Sequence, residues 1–189
     1  MPTFTLVAGP NGSGKSTLTA AITFEGGASV VDPDAIARVL APDLPSRAAI
    51  SAARRAVVRC RTLLESRESF TLESTLAGHG ALSLMRRAKG AGYRTLLVYV
   101  SLGNPELHIE RVRLRVAQGG HDIPDADIRR RYARSLLHAP EAMRLADEAL
   151  VLDNSGRRPE SVLMLKNGQI FWRASYLPLW VQKLALGLE

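Results

Sequence analysis

Residues 9–17 read Gly-Pro-Asn-Gly-Ser-Gly-Lys-Ser-Thr and directly follow the apolar run Thr3–Ala8. They match the spacing G-x-x-x-x-G-K-S of a phosphate-binding P-loop. The glycines tolerate positive φ and carry no Cβ, so the backbone N–H groups can curl around the β- and γ-phosphates of a nucleotide. An apolar strand before the motif and a helix-forming segment after it are the context that this motif requires. The stretch therefore predicts an α/β protein that binds a nucleotide.

The polar residues of this loop have predicted roles. Lys15 would neutralise oxygens of the β- and γ-phosphates, and Ser16 would place its hydroxyl oxygen on Mg²⁺. The helix that opens near Lys15 would direct the positive end of its dipole at the same anion. The cofactors predicted are ATP or GTP, with Mg²⁺ at Ser16. The predicted nucleotide-binding residues are Gly9, Pro10, Asn11, Gly12, Ser13, Gly14, Lys15, Ser16 and Thr17.

The composition is that of one globular domain. The chain has 189 residues, of which 46% are hydrophobic, and this is sufficient for a sizeable core. It contains neither a run of about 18 apolar residues nor a basic leader followed by an apolar stretch, which predicts a cytoplasmic protein without a membrane anchor. Its lone cysteine, Cys60, cannot form an internal disulfide and is expected to be an ordinary helix residue.

The charge is positive and is carried mostly by arginine, with 25 Lys and Arg against 18 Asp and Glu. Arginine binds phosphate with two parallel hydrogen bonds and stays charged when partly buried, which favours a protein that handles polyanionic small molecules. A GC-rich genome would explain the same bias. Only 5% of the residues are aromatic and no basic stretch is interleaved with them, which argues against nucleic acid as a partner.

Strands and helices alternate along the chain. Apolar runs predict strands at 3–8, 28–32, 69–73, 93–102 and 149–153. Capping and periodicity predict helices at 15–23, 34–40, 45–67, 78–90, 105–118 and 125–138. Residues 161–173 read as a hairpin around Asn167-Gly168, and residues 177–186 as a short apolar helix that packs on the body.

This alternation predicts an α/β P-loop kinase fold, in which a parallel sheet of about five strands is covered by helices on both faces. A single domain over residues 1–189 is expected, with a helical lid at about 104–138. A C-terminal hairpin and helix are expected at 160–186.

Ligands of such a sheet bind beyond the carboxyl ends of its strands. Strand two ends at Asp32 and Asp34. Asp34 is the candidate base that removes the proton of an acceptor hydroxyl, and it is also well placed to cap the next helix. Asp32 is expected to point away from the γ-phosphate. Strand three ends at Glu73, which can orient an acceptor hydroxyl or hold Mg²⁺ through water, and Thr75 follows as an acceptor ligand or a helix cap.

Arginines on the two helices after strand four are candidates for phosphate binding. Arg111 and Arg115 are spaced i, i+4, so they share one face, where one or both can clamp the triphosphate as an arginine finger of the same chain. On the following helix, Asp125/Arg129 and Asp127/Arg131 have the spacing of surface salt bridges. Arg130 and Arg134 lack such an acid and are left for phosphate.

The histidines show no metal-ligand spacing. His121 lies between Gly119-Gly120 and Pro124, as expected for a residue of a mobile lid. The other three are expected to be surface or helix residues; they are His79, His108 and His138.

Several of these stretches together resemble the zeta-toxin family over about residues 3–155, in the right order. They are the P-loop, Val31-Asp-Pro-Asp-Ala-Ile-Ala, Phe70-Thr-Leu-Glu-Ser-Thr-Leu, Ile109-Glu-Arg-Val, and Gly119-Gly-His-Asp-Ile-Pro with Ile128-Arg-Arg-Arg-Tyr-Ala-Arg-Ser. The resemblance implies a kinase that transfers the γ-phosphate of ATP to the 3′-hydroxyl of UDP-N-acetylglucosamine. It also implies a small antitoxin protein that blocks the nucleotide site.

The resemblance assigns roles to individual residues. Lys15 matches the phosphate lysine, Asp34 the catalytic base and Arg111 a phosphate-binding arginine, while Glu73 and Thr75 match acceptor-binding positions.

Two positions depart from the family pattern. His121 stands where the family has a second arginine, a role that Arg115 or Arg130 would then fill. Before strand three, where the larger toxins carry an acid, this chain has the arginines Arg54, Arg55 and Arg59, which makes a more anionic acceptor conceivable.

Two alternatives remain at this point. One is a P-loop kinase for another acceptor, such as a sugar, an antibiotic or a nucleic-acid 5′ end. The other is a nucleotide-binding regulatory module without phosphoryl transfer, which would need no base opposite the γ-phosphate.

Overall fold

The computed structural model describes residues 1–21, 29–120 and 122–188. In these ranges the strands are β1 (Thr3–Ala8), β2 (Ser29–Val31), β3 (Phe70–Ser74), β4 (Arg94–Ser101), β5 (Glu148–Asp153), β6 (Glu160–Lys166) and β7 (Gln169–Arg173). The helices are α1 (Lys15–Ala21), α2 (Pro33–Leu40), α3 (Ala49–Glu65), α4 (Gly80–Gly90), α5 (Pro105–Ala117), α6 (Asp125–Leu145) and α7 (Leu179–Leu186), with a 3-10 turn at Pro45–Ala48.

The described strands form one sheet in the order β2-β3-β1-β4-β5-β6-β7. The first five in this order are parallel, which confirms the predicted α/β fold with about five parallel strands. β1 lies between β3 and β4 and is buried along its whole length, as expected for a strand of a parallel sheet with helices on both faces. This topology brings the carboxyl ends of β1, β2 and β3 to one edge of the sheet.

The hairpin at the C-terminal end is confirmed, and it belongs to the same sheet. β6 pairs antiparallel with β5, and β7 pairs antiparallel with β6. Asn167 and Gly168 at the turn both have positive φ, 51° and 78°, as the two central residues of a type I′ turn require. Trp180, Val181 and Leu184 of α7 join the main core cluster, so this helix packs on the body as predicted.

Several predicted bounds were wrong. α6 was expected to end near residue 138, but it continues through Pro140 to Leu145. Proline interrupts the hydrogen-bond ladder of a helix, but here burial of Ala139, Ala142 and Met143 keeps the segment helical. The helix predicted over 45–67 divides into the 3-10 turn and α3. Residues 22, 23 and 28, at the ends of two predicted elements, lie outside the described residues.

Cys60 is buried in α3, as expected of a helix residue, and burial raises the pKa of its thiol to about 11. None of the helices in the described part of the chain has both the length and the apolar character needed to cross a membrane.

Candidate active site

The loop of residues 9–17 lies between β1 and α1 and needs its glycines. Gly9, Gly12 and Gly14 have φ values of +146°, +74° and +97°. A Cβ on Gly9 would lie 1.9 Å from the carbonyl oxygen of Val100, and one on Gly14 would lie 2.6 Å from the side-chain nitrogen of Asn154. The loop therefore owes its shape both to backbone freedom and to the neighbouring strands, which leave no room for side chains.

Lys15 is held inside this loop. Its Nζ donates to the carbonyl oxygens of Gly9 (2.8 Å) and Pro10 (2.9 Å). Burial lowers the pKa of the Lys15 ammonium, and the negative charges of Asp34 and Glu73 oppose that shift, with Asp34 the stronger of the two. The amine and both carboxylates are thus close enough to interact at the carboxyl edge of the sheet.

Ser16 and Glu73 are in direct contact. The register of β1 and β3 pairs Val7 with Glu73, and the Ser16 hydroxyl donates to Oε2 of Glu73 over 2.9 Å. Glu73 is only 5% exposed. A hydroxyl and a carboxylate are the hard oxygen ligands that Mg²⁺ prefers, and this ion is commonly held by one or two protein oxygens together with substrate phosphates and water. The pair fits such an ion, although the described residues contain no cluster of three or more His, Cys, Asp or Glu placed for a metal.

Asp32, not Asp34, caps α2, so the predicted cap was wrong. Oδ1 of Asp32 accepts from the backbone N–H of Asp34 (2.8 Å), and Oδ2 lies 3.5 Å from the Arg38 guanidinium. Pro33 has no N–H to satisfy and a φ suited to the first helical position, so the helix begins there and the cap moves back to Asp32. The Asp34 carboxylate is consequently left in the exposed first turn, without a hydrogen bond to another described residue.

A pocket of about 400 Å³ opens beside Ser16, Asp32 and Glu73, and Asp34 is not among its lining residues. Asp32 faces this pocket because a cap turns back toward the start of its helix, and α2 starts there. That Asp32 points away from the γ-phosphate stays a prediction. The lining residues are Ser16, Thr19, Ala20, Val30, Asp32, Ala35, Ile36 and Glu73.

Thr75 is half-buried just beyond the carboxyl end of β3. It does not cap a helix, because α4 begins at Gly80 with His79 in the cap position. The next residue, Leu76, is fully buried with φ of +54°, and its N–H donates to the Ser74 hydroxyl (3.0 Å). A left-handed leucine must be held in place by its surroundings, so the loop that carries Thr75 has a defined course.

Arg111 and Arg115 both lie on the side of α5 that faces the loop of residues 9–17. Arg111 donates from Nη2 to the carbonyl oxygen of Asn154 (2.6 Å), and Asn154 in turn donates from Nδ2 to the carbonyl oxygen of Ser13 (2.9 Å). The positive charge of Arg115 contributes to the lowered pKa of Lys15. Asn154, directly after β5, is a brace that no spacing in the sequence indicates.

The ion pairs predicted on α6 were wrong. Arg130 donates to Asp127 (2.7 Å), so it does have an acidic partner, three residues before it. Arg131, expected to pair with Asp127, instead donates from Nη1 to Oδ1 of Asn11 (3.1 Å). Arg134 is exposed and pairs with no other described residue. Two further ion pairs, Arg129–Glu106 and Arg113–Asp125, replace the predicted Asp125–Arg129 pair.

His108 is a helix residue, as expected, and it is fully buried in α5 against the loop of residues 9–17. Its Nε2 accepts from the N–H of Leu102 (3.2 Å), so Nδ1 carries the proton and donates to the carbonyl oxygen of Asn11 (2.7 Å). Burial lowers the pKa of His108 to about 4. His79 and His138 lie together with ring centres 4.6 Å apart, and His121 lies outside the described residues.

The neutral state of His108 predicts a pH effect on stability. Its pKa falls from 6.5 to about 4 on folding, so the unfolded chain binds more protons between these values. The stabilisation is complete above pH 6.5 and falls as the pH drops toward 4, by about 3 kcal/mol in all. In denaturant titrations, His108→Gln is expected to be less stable at pH 7.5 but to lose less further stability than the wild type between pH 6.5 and 4.5. Exposed His79→Gln is the control; a His108→Gln slope equal to that of wild type contradicts the assignment.

This fold and this loop define the class: the chain is an α/β P-loop, kinase-like domain. Residues 4–140 match the AAA_33 family, described as an AAA domain, and the chain belongs to that family. It is 35% identical over 124 residues to an uncharacterized protein of Haemophilus influenzae, a match that covers 66% of this chain and 88% of the relative.

Solved structures share the fold at lower identity. The AvrRxo1-ORF1:-ORF2 complex with ATP matches with a TM-score of 0.73 and 15% identity over 100% of this chain and 64% of that chain. A structure of the PezAT chromosomal toxin-antitoxin system of Streptococcus pneumoniae matches with a TM-score of 0.62 and 14% identity, over 99% of this chain and 84% of that one. A shikimate kinase from Acinetobacter baumannii, in complex with shikimate, matches with a TM-score of 0.52 and 16% identity over 82% and 86% of the two chains.

Proposed function

We propose that the protein is a Mg²⁺-dependent kinase of the zeta-toxin type, which transfers the γ-phosphate of ATP or GTP to a hydroxyl of UDP-N-acetylglucosamine or a related nucleotide sugar. The carrying observation is that the buried carboxylate of Glu73 accepts from Ser16 directly after Lys15, and that the negative charges of Asp34 and Glu73 oppose the lowering of the Lys15 pKa. A protein that only binds a nucleotide has no use for a carboxylate base beside its phosphate lysine. The nucleotide and the sugar nucleotide are both cytoplasmic metabolites, so we place the protein in the cytoplasm.

The proposed reaction uses each group once. The loop of residues 9–17 and Lys15 hold the β- and γ-phosphates. Asp34 takes the proton of the acceptor hydroxyl as its oxygen bonds to the γ-phosphorus, while the bond from that phosphorus to the bridging oxygen breaks and the nucleoside diphosphate leaves. Arg111 and Arg115 stabilise the charge on the transferred group.

Glu73 can either orient the acceptor hydroxyl or hold Mg²⁺, and we favour the second role. Its hydrogen bond to Ser16 joins the two side chains that would hold Mg²⁺, directly or through water. When bound, the ion would neutralise charge on the β- and γ-phosphates. Thr75 is then the proposed acceptor ligand beyond β3, and His121 remains a candidate lid residue on the acceptor side.

The acceptor is tested by mass. Purified protein with ATP and Mg²⁺ is incubated with a panel of nucleotide sugars, and with N-acetylglucosamine and shikimate as acceptors of other kinds. We expect the mass of one phosphate to be added to UDP-N-acetylglucosamine. Phosphorylation of a different panel member would support the kinase with another acceptor, and tight nucleotide binding without any transfer would support the regulatory module.

Besides Arg111 and Arg115, we propose that Arg131 on α6 binds phosphate, a role for which the sequence favoured Arg130. It reaches Asn11 in the nucleotide loop, whereas Arg130 is paired with Asp127 at the surface. Removing one preorganised donor from developing charge costs about 10²–10³ in rate. We expect Arg131→Ala to lose about that factor in kcat/KM and Arg130→Ala to lose less than about threefold, because an exposed ion pair contributes little. A larger loss of kcat/KM in Arg130→Ala than in Arg131→Ala would instead support Arg130 as the phosphate-binding residue.

We also propose that a small antitoxin protein controls the enzyme by filling the nucleotide pocket. The fold likeness to the PezAT toxin-antitoxin system supports this. The test is growth of a bacterial host that expresses the chain alone. Growth arrest with the wild type but not with Asp34→Ala is expected; normal growth with both would argue against toxicity while leaving the kinase proposal in place.

A further inference from the structure

The helix α3 carries an unbalanced positive charge. No Asp or Glu occurs between residues 44 and 64, on the 3-10 turn and nearly all of α3. The arginines of this segment are all exposed, and none forms a hydrogen bond or an ion pair with another residue of the described ranges. They are Arg47, Arg54, Arg55, Arg59 and Arg61. Elsewhere on the surface arginines do find acids, as on α5 and α6. The mutual repulsion of these arginines is therefore not offset by any acidic partner among the described residues.

Branched apolar side chains lie among these arginines. Ile50, Val57 and Val58 are 72%, 60% and 63% exposed. At 100° per residue they share the outer face of α3 with Arg54 and Arg61, opposite the buried Ala52, Ala56 and Cys60. We call the set of Ile50, Arg54, Val57, Val58 and Arg61 the outer face. It is apolar and basic at the same time, and large exposed apolar side chains grouped with charged ones on one face indicate an interaction site.

The arrangement of the outer face distinguishes between kinds of partner. A helix on an anionic membrane separates its basic residues from its apolar ones, so that only the apolar side enters the lipid. Here Arg54 and Arg61 lie between Val57 and Val58 in angle around the helix, in the middle of the apolar stripe. Nucleic acid would pair with the arginines through phosphates but would leave the three aliphatic side chains in water, and α3 has no aromatic residue on which a base could stack. A protein surface with interleaved carboxylates and apolar side chains satisfies both kinds of group.

We propose that the outer face of α3 docks an acidic protein partner, one that presents carboxylates to Arg54 and Arg61 and apolar side chains to Ile50, Val57 and Val58. Apart from Arg54, which the family pattern places on the acceptor side, the face contains none of the residues assigned to the nucleotide or acceptor site. The docking does not depend on the kinase activity, and a partner bound there need not block the nucleotide.

The test uses a peptide as the probe. A peptide of 17 residues, the length of α3, carries Glu and Leu alternating along one helical face. A second peptide has the same composition with Glu and Leu on opposite faces. Binding of both to the full chain is measured by fluorescence anisotropy at physiological ionic strength, where non-specific charge attraction is weakened. The interleaved peptide is expected to bind at least about tenfold more tightly than its isomer.

Variants separate the outer face from overall charge. Arg54→Glu with Arg61→Glu should weaken the interleaved peptide by at least about tenfold, and Ile50→Ser with Val57→Ser should weaken it as well. Arg173→Glu with Lys183→Glu makes the same change of charge on β7 and α7, and should leave binding within about twofold. Circular dichroism checks that every variant is folded, and glutamine replaces glutamate if the first pair is not.

Three results would overturn the proposal. Equal affinities of the two peptides for the full chain would contradict an interleaved partner. Equal losses of peptide affinity in the two doubly charge-reversed variants would show that binding depends only on the net charge of the protein. Tighter binding of duplex RNA or of phosphatidylglycerol vesicles, lost with Arg54→Glu and Arg61→Glu, would assign the face to nucleic acid or to lipid.

Discussion

Lys15→Ala is expected to abolish phosphoryl transfer, with a loss of at least about 10²–10³ in kcat. The ammonium is the fixed charge at the centre of the loop, held by the carbonyl oxygens of Gly9 and Pro10, and alanine offers nothing to the β- and γ-phosphates. Nucleotide binding should weaken as well. ATP with Mg²⁺ should raise the melting temperature of the wild type, because a ligand stabilises the state that binds it, and this shift should shrink or vanish in the variant.

The fold should survive this change. Lys15 is half-buried, and desolvation already disfavours its charged form, so its removal takes a partly desolvated charge out of the loop. The control is Lys166→Ala, which removes an exposed lysine from β6 and should alter neither activity nor the ATP-induced shift. Near-normal turnover by a folded Lys15→Ala protein would contradict the assignment of the loop.

Asp34→Asn is expected to lower phosphorylation of the acceptor by about 10²–10⁴, the usual contribution of a general base. Asparagine keeps the shape of the side chain and removes its basicity. Asp34 is not the cap of α2, and its carboxylate bonds to no other described residue, so the melting temperature should stay close to that of the wild type. Nucleotide affinity, measured by titration, should also be retained, and the loss should appear in kcat.

Asp32→Asn is the matched control for Asp34→Asn. Asp32 caps α2 through Oδ1 and pairs with Arg38 through Oδ2. Asparagine retains a capping oxygen, and the pair with the largely exposed Arg38 contributes little, so we expect near-normal activity and a small change in stability. Because Asp32 also lines the pocket beside Ser16 and Glu73, the comparison decides between two real candidates. A folded but inactive Asp32→Asn protein, with an active Asp34→Asn protein, would transfer the role of base to Asp32.

Some features of this protein follow from the sequence because they are local. The loop of residues 9–17 is recognised by its glycines and by the strand that precedes it. The turn at Asn167-Gly168 is recognised because few residues adopt positive φ at both central positions. The parallel sheet follows from the alternation of apolar strands with helices, and the convergence of Lys15, Asp34 and Glu73 follows from the rule that such strands present their carboxyl ends on one side.

Other features were decided by tertiary structure. Spacing shows which acids an arginine can reach on its own helix, but it does not show what lies across from that helix. Asp127 is within reach of both Arg130 and Arg131, and it accepts a hydrogen bond from Arg130. Arg131 instead donates to Asn11, which lies in a loop more than a hundred residues earlier in the chain. For the same reason His108 looked ordinary: its role depends on Asn11 and Leu102, which contact it only after the sheet has formed.

Periodicity and motif spacing therefore determined the fold class and the position of the glycine loop between β1 and α1. Packing determined which polar groups are paired. The partner of a polar side chain depends on its burial and on its distance to other groups, and both are fixed only when the chain folds. Asp32 as the cap, Arg131 at the loop, and Asn154 and His108 as braces are all choices of that second kind.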